Sequence, residues 1–85
     1  MVKRYHFPLI NPVRKFSLKH YLDHILEEIK EFEEETDPEK KDKEAVDILH
    51  SAETFVRKYF KDAKQFERVK KKVIAKNRNR GYYKE

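Results

Sequence analysis

The sequence predicts an all-α protein: an antiparallel helical hairpin followed by a shorter third helix. Three observations predict it. Apolar residues recur at helical spacing in three successive stretches. A good N-cap residue, Ser17, Asp37 or Asp62, precedes each stretch. No stretch alternates apolar and polar residues as a strand does, and there is no internal repeat. With 85 residues the chain is one small domain at most.

Residues 1–16 contain Pro8 and Pro12 and read as an extended arm, with a single helical domain over 17–85. In the first helix, Leu18, Tyr21, Leu22, Ile25, Leu26, Ile29 and Phe32 form one apolar stripe. Ser17 caps it, and Phe16 and Tyr21 occupy the two positions of a hydrophobic staple. The helix should end near Glu35, because Pro38 disfavours the α region at Asp37. Asp37 then caps a second helix, with Pro38 at its first position and Glu39 in its first turn. Its stripe includes Ala45, Val46, Ile48, Leu49, Ala52, Phe55, Val56, Tyr59 and Phe60. Asp62 and Gln65 form a capping-box-like start to the third helix, whose buried face is Phe66, Val69, Val73 and Ile74. Gly81 is its natural stop. One hairpin cannot bury stripes this wide on both sides, whereas two hairpins paired as a four-helix bundle can. The expectation is a homodimer or homotetramer.

Composition removes several function classes. The absence of cysteine excludes a disulfide scaffold, a zinc finger and a thiol nucleophile, and suits a reducing cytoplasm. With one glycine there is no phosphate-cradling Gly-rich loop. No apolar run reaches the ~20 residues of a membrane span, and no signal-peptide core follows Met1. Charge is segregated beneath the net +5. Residues 23–47 hold twelve acids against four lysines, and residues 57–85 hold twelve Lys or Arg against three acids. Solvated helix faces and a solubilising tail would explain this pattern. So would a cation-binding patch beside a segment that meets an anion. A nucleic-acid binder using residues 57–84 is less natural, because the acidic middle repels phosphates.

Within that middle, the first helix carries Glu27, Glu28 and Glu31, and the second carries Glu44 and Asp47. At about 100° per residue, Glu28 and Glu31 share one flank of the first stripe, and Glu44 and Asp47 share the corresponding flank of the second. An antiparallel hairpin lets these flanks face each other. Four converging carboxylates repel and their pKa values rise unless a cation neutralises them. Oxygen ligands at i, i+3 suit a hard ion, Mg²⁺ or Mn²⁺. Surface glutamates paired with lysines one turn away are the simpler account of the same spacing.

Glu27-Glu28-Ile29-Lys30-Glu31, a twelve-residue spacer and Glu44-Ala45-Val46-Asp47 resemble the EExxE…ExxD signature of MazG-like nucleoside triphosphate pyrophosphohydrolases. Lys76-Asn77-Arg78-Asn79-Arg80-Gly81-Tyr82-Tyr83 resembles the Lys-Asn…Arg-Gly-Tyr end of short members, and the segment from Asp47 to Lys58 resembles phage-type ones. The resemblance covers about residues 17–83. The Cys-Pro-Trp-Asp-like arm of larger members has no counterpart here. The resemblance implies an all-α oligomer that uses Mg²⁺, with Mn²⁺ as a substitute, to hydrolyse (d)NTPs to the monophosphate and pyrophosphate. It places Glu28, Glu31, Glu44 and Asp47 as metal ligands, with Glu27, Glu28 and Glu31 in the catalytic motif. Lys76, Asn77 and Arg80 match positions that touch the nucleotide or its phosphates. Two rivals share the fold: phosphoribosyl-ATP pyrophosphatase, and a nucleotide-binding module without turnover.

His20 and His24 lie on the flank of Glu28, and His50 follows Asp47 at i+3. The chain has no Glu-x-x-His, which di-iron carboxylate bundles require on two helices. His24 is a candidate phosphate contact, whereas His20 and His50 read as solvated. Tyr82 and Tyr83 suit either base stacking or an oligomer interface. Phe32, Phe55 and Phe60 read as core.

Overall fold

The computed structural model describes residues 6–8 and 16–84. Most of the expected arm over 1–16 lies outside the described residues. Three helices follow in order: α1 (Leu18–Glu34), α2 (Pro38–Tyr59) and α3 (Ala63–Asn79). No strand occurs among the described residues.

The caps are those the sequence announces. Ser17 Oγ accepts from the His20 N–H at 3.1 Å, Asp37 Oδ1 from Glu39 at 3.1 Å, and Asp62 Oδ1 from Lys64 at 2.9 Å. Phe16 meets Tyr21 edge-on at 6.2 Å, closing the staple. At the far end of α3, the Gly81 N–H donates to Arg78 O at 3.0 Å and the Tyr82 N–H to Asn77 O at 3.0 Å. This is a Schellman motif, and it needs the φ of +72° that Gly81 supplies without a Cβ penalty. At 17 residues α3 equals α1 and is shorter only than the 22-residue α2, because nothing before Arg80 interrupts it.

A three-residue connection, 35–37, folds α2 back along α1. Lys41 fastens the turn. Its Nζ donates to Phe32 O at 2.6 Å and to Glu35 O at 3.4 Å, and lies 4.0 Å from the centre of the Phe32 ring. It thereby satisfies orphan carbonyls at the end of α1. Residues 6–8 lie against the second half of α2. Among the described residues α3 packs on neither α1 nor α2, and it meets the end of the hairpin where Phe66 lies 5.7 Å from Phe60.

The core departs from the sequence expectation. Tyr21 is the one buried apolar side chain among the described residues. Leu22, Leu26, Ile29, Val46, Leu49 and Tyr59 of the expected stripes are exposed, as are Val69 and Val73 of α3. The stripes exist, but one copy of the hairpin offers only one surface to cover them.

Candidate metal and phosphate site

Helix spacing and the hairpin turn together build the site. Glu28 and Glu31 stand one turn apart on α1, and α2 returns Glu44 against them. One carboxylate oxygen from each of Glu28, Glu31 and Glu44 lies within 4.8 Å of the others. Glu28 Oε2 and Glu44 Oε2 are shielded from solvent and have no hydrogen-bond partner. Burial first, and then the Glu31 carboxylate, pushes the Glu28 carboxyl above its ordinary range, with Asp47 adding to the rise and His24 opposing it. Glu44 is raised by desolvation, then by Glu31, Glu28 and Asp47. Protein groups therefore leave these oxygens short of positive charge. Oxygen-only donors with two orphaned atoms fit a hard divalent cation.

The other sequence candidates are distributed around this cluster. Asp47 is exposed and contributes to it by charge. His24 sits beside it, with Nε2 3.1 Å from Glu28 Oε1 and Nδ1 4.0 Å from Glu27 Oε2. Glu27 faces solvent, outside the carboxylate cluster. Lys76, Asn77 and Arg80 lie at the end of α3 and its cap, and the structure does not bring them to the carboxylates within one chain. The Arg80 guanidinium stands 4.8 Å from the Tyr82 ring centre, and that of Arg78 stands 5.8 Å from Tyr83.

Farther from the turn, the same side of the hairpin changes character. A cavity of about 200 Å³ is lined by Phe16, His20, Tyr21 and His24 with His50 and Thr54. Phe16 stacks on His20 at 4.2 Å, and burial pushes the Tyr21 phenol above its usual range. His50, read as solvated, is half-buried. Phe7 stacks on it at 4.7 Å, and its Nε2 is covered and without a partner. Behind it Glu53 is buried. It accepts from the Phe7 N–H at 2.9 Å and lies 3.3 Å from His6 Nδ1 and 3.8 Å from the Arg57 guanidinium. Arg57 also donates to Phe7 O at 2.6 Å. Sequence reasoning gave Glu53 no role. The signal was present, since Glu53 is the one charge between residues 48 and 56, inside an apolar stripe and four residues before Arg57.

No helix among the described residues is long and apolar enough to cross a membrane. No family model, curated protein or solved structure matches the chain at a significant level.

Proposed function

We propose that this chain is a Mg²⁺-dependent nucleoside triphosphate pyrophosphohydrolase, which cleaves (d)NTPs to the monophosphate and pyrophosphate. The carrying observation is the convergence of Glu28, Glu31 and Glu44, with two buried and unpartnered oxygens. A divalent cation would neutralise this cluster and supply the partner that its two covered oxygens lack. The motif resemblance supplies the reaction class.

Glu28, Glu31 and Glu44 would hold the ion, with Asp47 adding charge beside them. When bound, the ion neutralises the triphosphate against the carboxylates and polarises its phosphoryl oxygens. His24 fixes one Glu28 oxygen at 3.1 Å and so orients the carboxylate toward the cluster. Glu27, on the solvent side, is the carboxylate left to orient the attacking water. Attack at phosphorus then depends on positioning and electrostatics, with no covalent enzyme intermediate.

The working unit in this reading is a homodimer or dimer of dimers. Exposed Leu22, Leu26, Val46 and Leu49 favour hairpin pairing. The opposed charges of residues 23–47 and 57–85 favour bringing α3 of one copy to the acidic side of another. Lys76, Asn77 and Arg80 would then meet the phosphates from a second subunit, Arg80 through bidentate contacts.

The test is pyrophosphate release from a panel of NTPs and dNTPs with Mg²⁺, Mn²⁺ or EDTA. The expected outcome is metal-dependent release in equal amount with the monophosphate. Folded protein that releases none with metal present would overturn the assignment.

A further inference from the structure

We propose that one face of α3 binds the phosphate backbone of double-stranded nucleic acid without regard to base sequence. The cations of that face are Lys64, Arg68, Lys71 and Lys72. The proposal stands apart from the reading of the carboxylates and uses none of its residues.

Helical register divides the cations of α3 into two sets. The helix holds seven Lys or Arg against a single acid, Glu67. Phe66, Val69, Val73 and Asn77 follow one another at three, four and four residues, and Arg80 comes three later. At about 100° per residue these share one flank. Asn77 and Arg80, proposed above to meet a triphosphate, therefore continue the apolar stripe. Lys64, Arg68 and Lys72 follow at four and four, with Lys71 three after Arg68. This second flank lies roughly 150° around the helix from the first, and the proposed nucleotide site makes no use of it.

All four residues are exposed. Among the described residues none of them is in an ion pair, whereas Lys19, Lys30 and Lys70 face Asp23, Glu34 and Glu67 at 2.9, 4.0 and 3.9 Å. Glu67, at the edge of the second flank, is thus taken by Lys70. Arg68 repeats the charge of Lys64 one turn on, and Lys72 that of Arg68, so each pair repels. A row of phosphates would remove that repulsion. The four cations span about 12 Å of helix axis, and a duplex presents a phosphate charge about every 1.7 Å of its own. The flank carries no aromatic ring on which unpaired bases could stack, since Phe66, the one ring in α3, is on the other side. Lysine predominates, and it meets phosphate as a point charge, which suits backbone contact without base readout.

Repulsion by the acidic middle is the objection to a nucleic-acid partner, and the fold answers it. Glu44, clustered with Glu28 and Glu31, lies fifteen residues before Tyr59, where α2 ends and beyond which α3 begins. That is about 22 Å of helix, more than twice the Debye length of ~8 Å at physiological salt. Among the described residues α3 packs on neither α1 nor α2, so it does not return along the hairpin to the cluster.

The test is fluorescence anisotropy of short labelled DNA duplexes of unrelated sequence, titrated with the full chain in EDTA. The duplexes should bind equally. Affinity should fall roughly a hundredfold between about 50 and 200 mM salt, as four phosphate contacts require. Lys64→Gln, Arg68→Gln, Lys71→Gln and Lys72→Gln together should weaken binding at least about tenfold and flatten the salt dependence. Gln favours a helix nearly as well as Lys, and circular dichroism checks the fold. Lys71→Gln with Lys72→Gln alone should give about half that loss on a logarithmic scale, which keeps the test open should the fourfold variant fail to fold. Lys19→Gln, Lys30→Gln, Lys40→Gln and Lys43→Gln together remove as much charge from the hairpin and should leave binding largely unchanged. No binding at about 50 mM salt, equal losses in the two fourfold variants, or tighter binding of the single strand overturns the proposal. So does capture by phosphatidylserine vesicles in place of the duplex. Pyrophosphate release plays no part in the readout, so its failure leaves this proposal standing.

Discussion

The chain covers carboxylates in two places and treats them oppositely. Around Glu53 the protein provides the partners: a backbone N–H, an imidazole and a guanidinium. Around Glu28 and Glu44 it provides more carboxylate, and two oxygens are left without a hydrogen bond. Burying a carboxylate is costly in either place unless it is paired. Glu53 is paired within the chain, so it is a clasp that fixes residues 6–8 to α2. In the cluster Glu28 has His24 at 3.1 Å, its second oxygen and one of Glu44 have no partner, and a cation is the partner proposed for them. Burial and acidity alone would have ranked the two sites together. Partner identity separates them.

The largest expected effect tests that separation directly. Glu44→Gln should lower pyrophosphate release by more than about a hundredfold, beyond the cost of changing an outer partner of a metal ligand. Its far-UV circular dichroism should match the parent protein, because Gln keeps the size and shape of Glu and removes one of the repelling charges. Retained turnover would merge the two carboxylate sites again as structural.

Glu53→Ala should do the reverse. It leaves the Phe7 N–H without its acceptor and removes the carboxylate beside Arg57, and should destabilise by roughly 2 kcal/mol. For a domain of this size that is a fall in melting temperature on the order of 10 °C, by calorimetry. The loss should be the same with Mg²⁺ and with EDTA. Ser17→Ala removes only the cap on His20 and should cost about 1 kcal/mol in denaturant titration. It acts at neither carboxylate site and so calibrates both.

The subtlest effect is a sign. Folded Glu28 and Glu44 have pKa values raised above 4.5, so in the window just above 4.5 the folded chain binds more protons than the unfolded one. Stability of the metal-free protein should therefore fall as pH rises through that window and reach its lower level above the folded pKa. Mg²⁺ should restore stability at neutral pH. Melting curves across pH with and without the ion check this, and Glu44→Gln should flatten the difference.

Much of this was legible in the sequence, for reasons that differ by residue. Caps and stops are local chemistry, so Ser17, Asp37, Asp62 and Gly81 could be placed without tertiary knowledge. Glu28, Glu31 and Glu44 were legible because helix periodicity and a short turn nearly determine which flanks meet. Asp47 was harder, since its distance from Glu28 and Glu31 depends on how far the two axes splay. Lys41 carries no sequence signal that sets it apart from its neighbours Lys40 and Lys43, and only the turn's geometry shows it reaching back to Phe32 O. His50 was misread because its cover, Phe7, comes from 43 residues away in the chain. Long-range docking of an irregular segment leaves no period to read. The apolar stripes run along the helices as drawn, but one copy leaves Leu22, Leu26, Val46 and Leu49 exposed, because a stripe's spacing does not say what covers it.

That last point reaches the life of the protein in the cell. If copies pair as proposed, a chain whose single copy encloses little beyond Tyr21 has a folded fraction that varies with how much of it is present. Scarce copies would stay open to proteases and to sticking, whereas abundant ones would protect each other. The gene's expression level would then act as a threshold: below it, synthesis and degradation cancel, and above it, intact protein accumulates steeply.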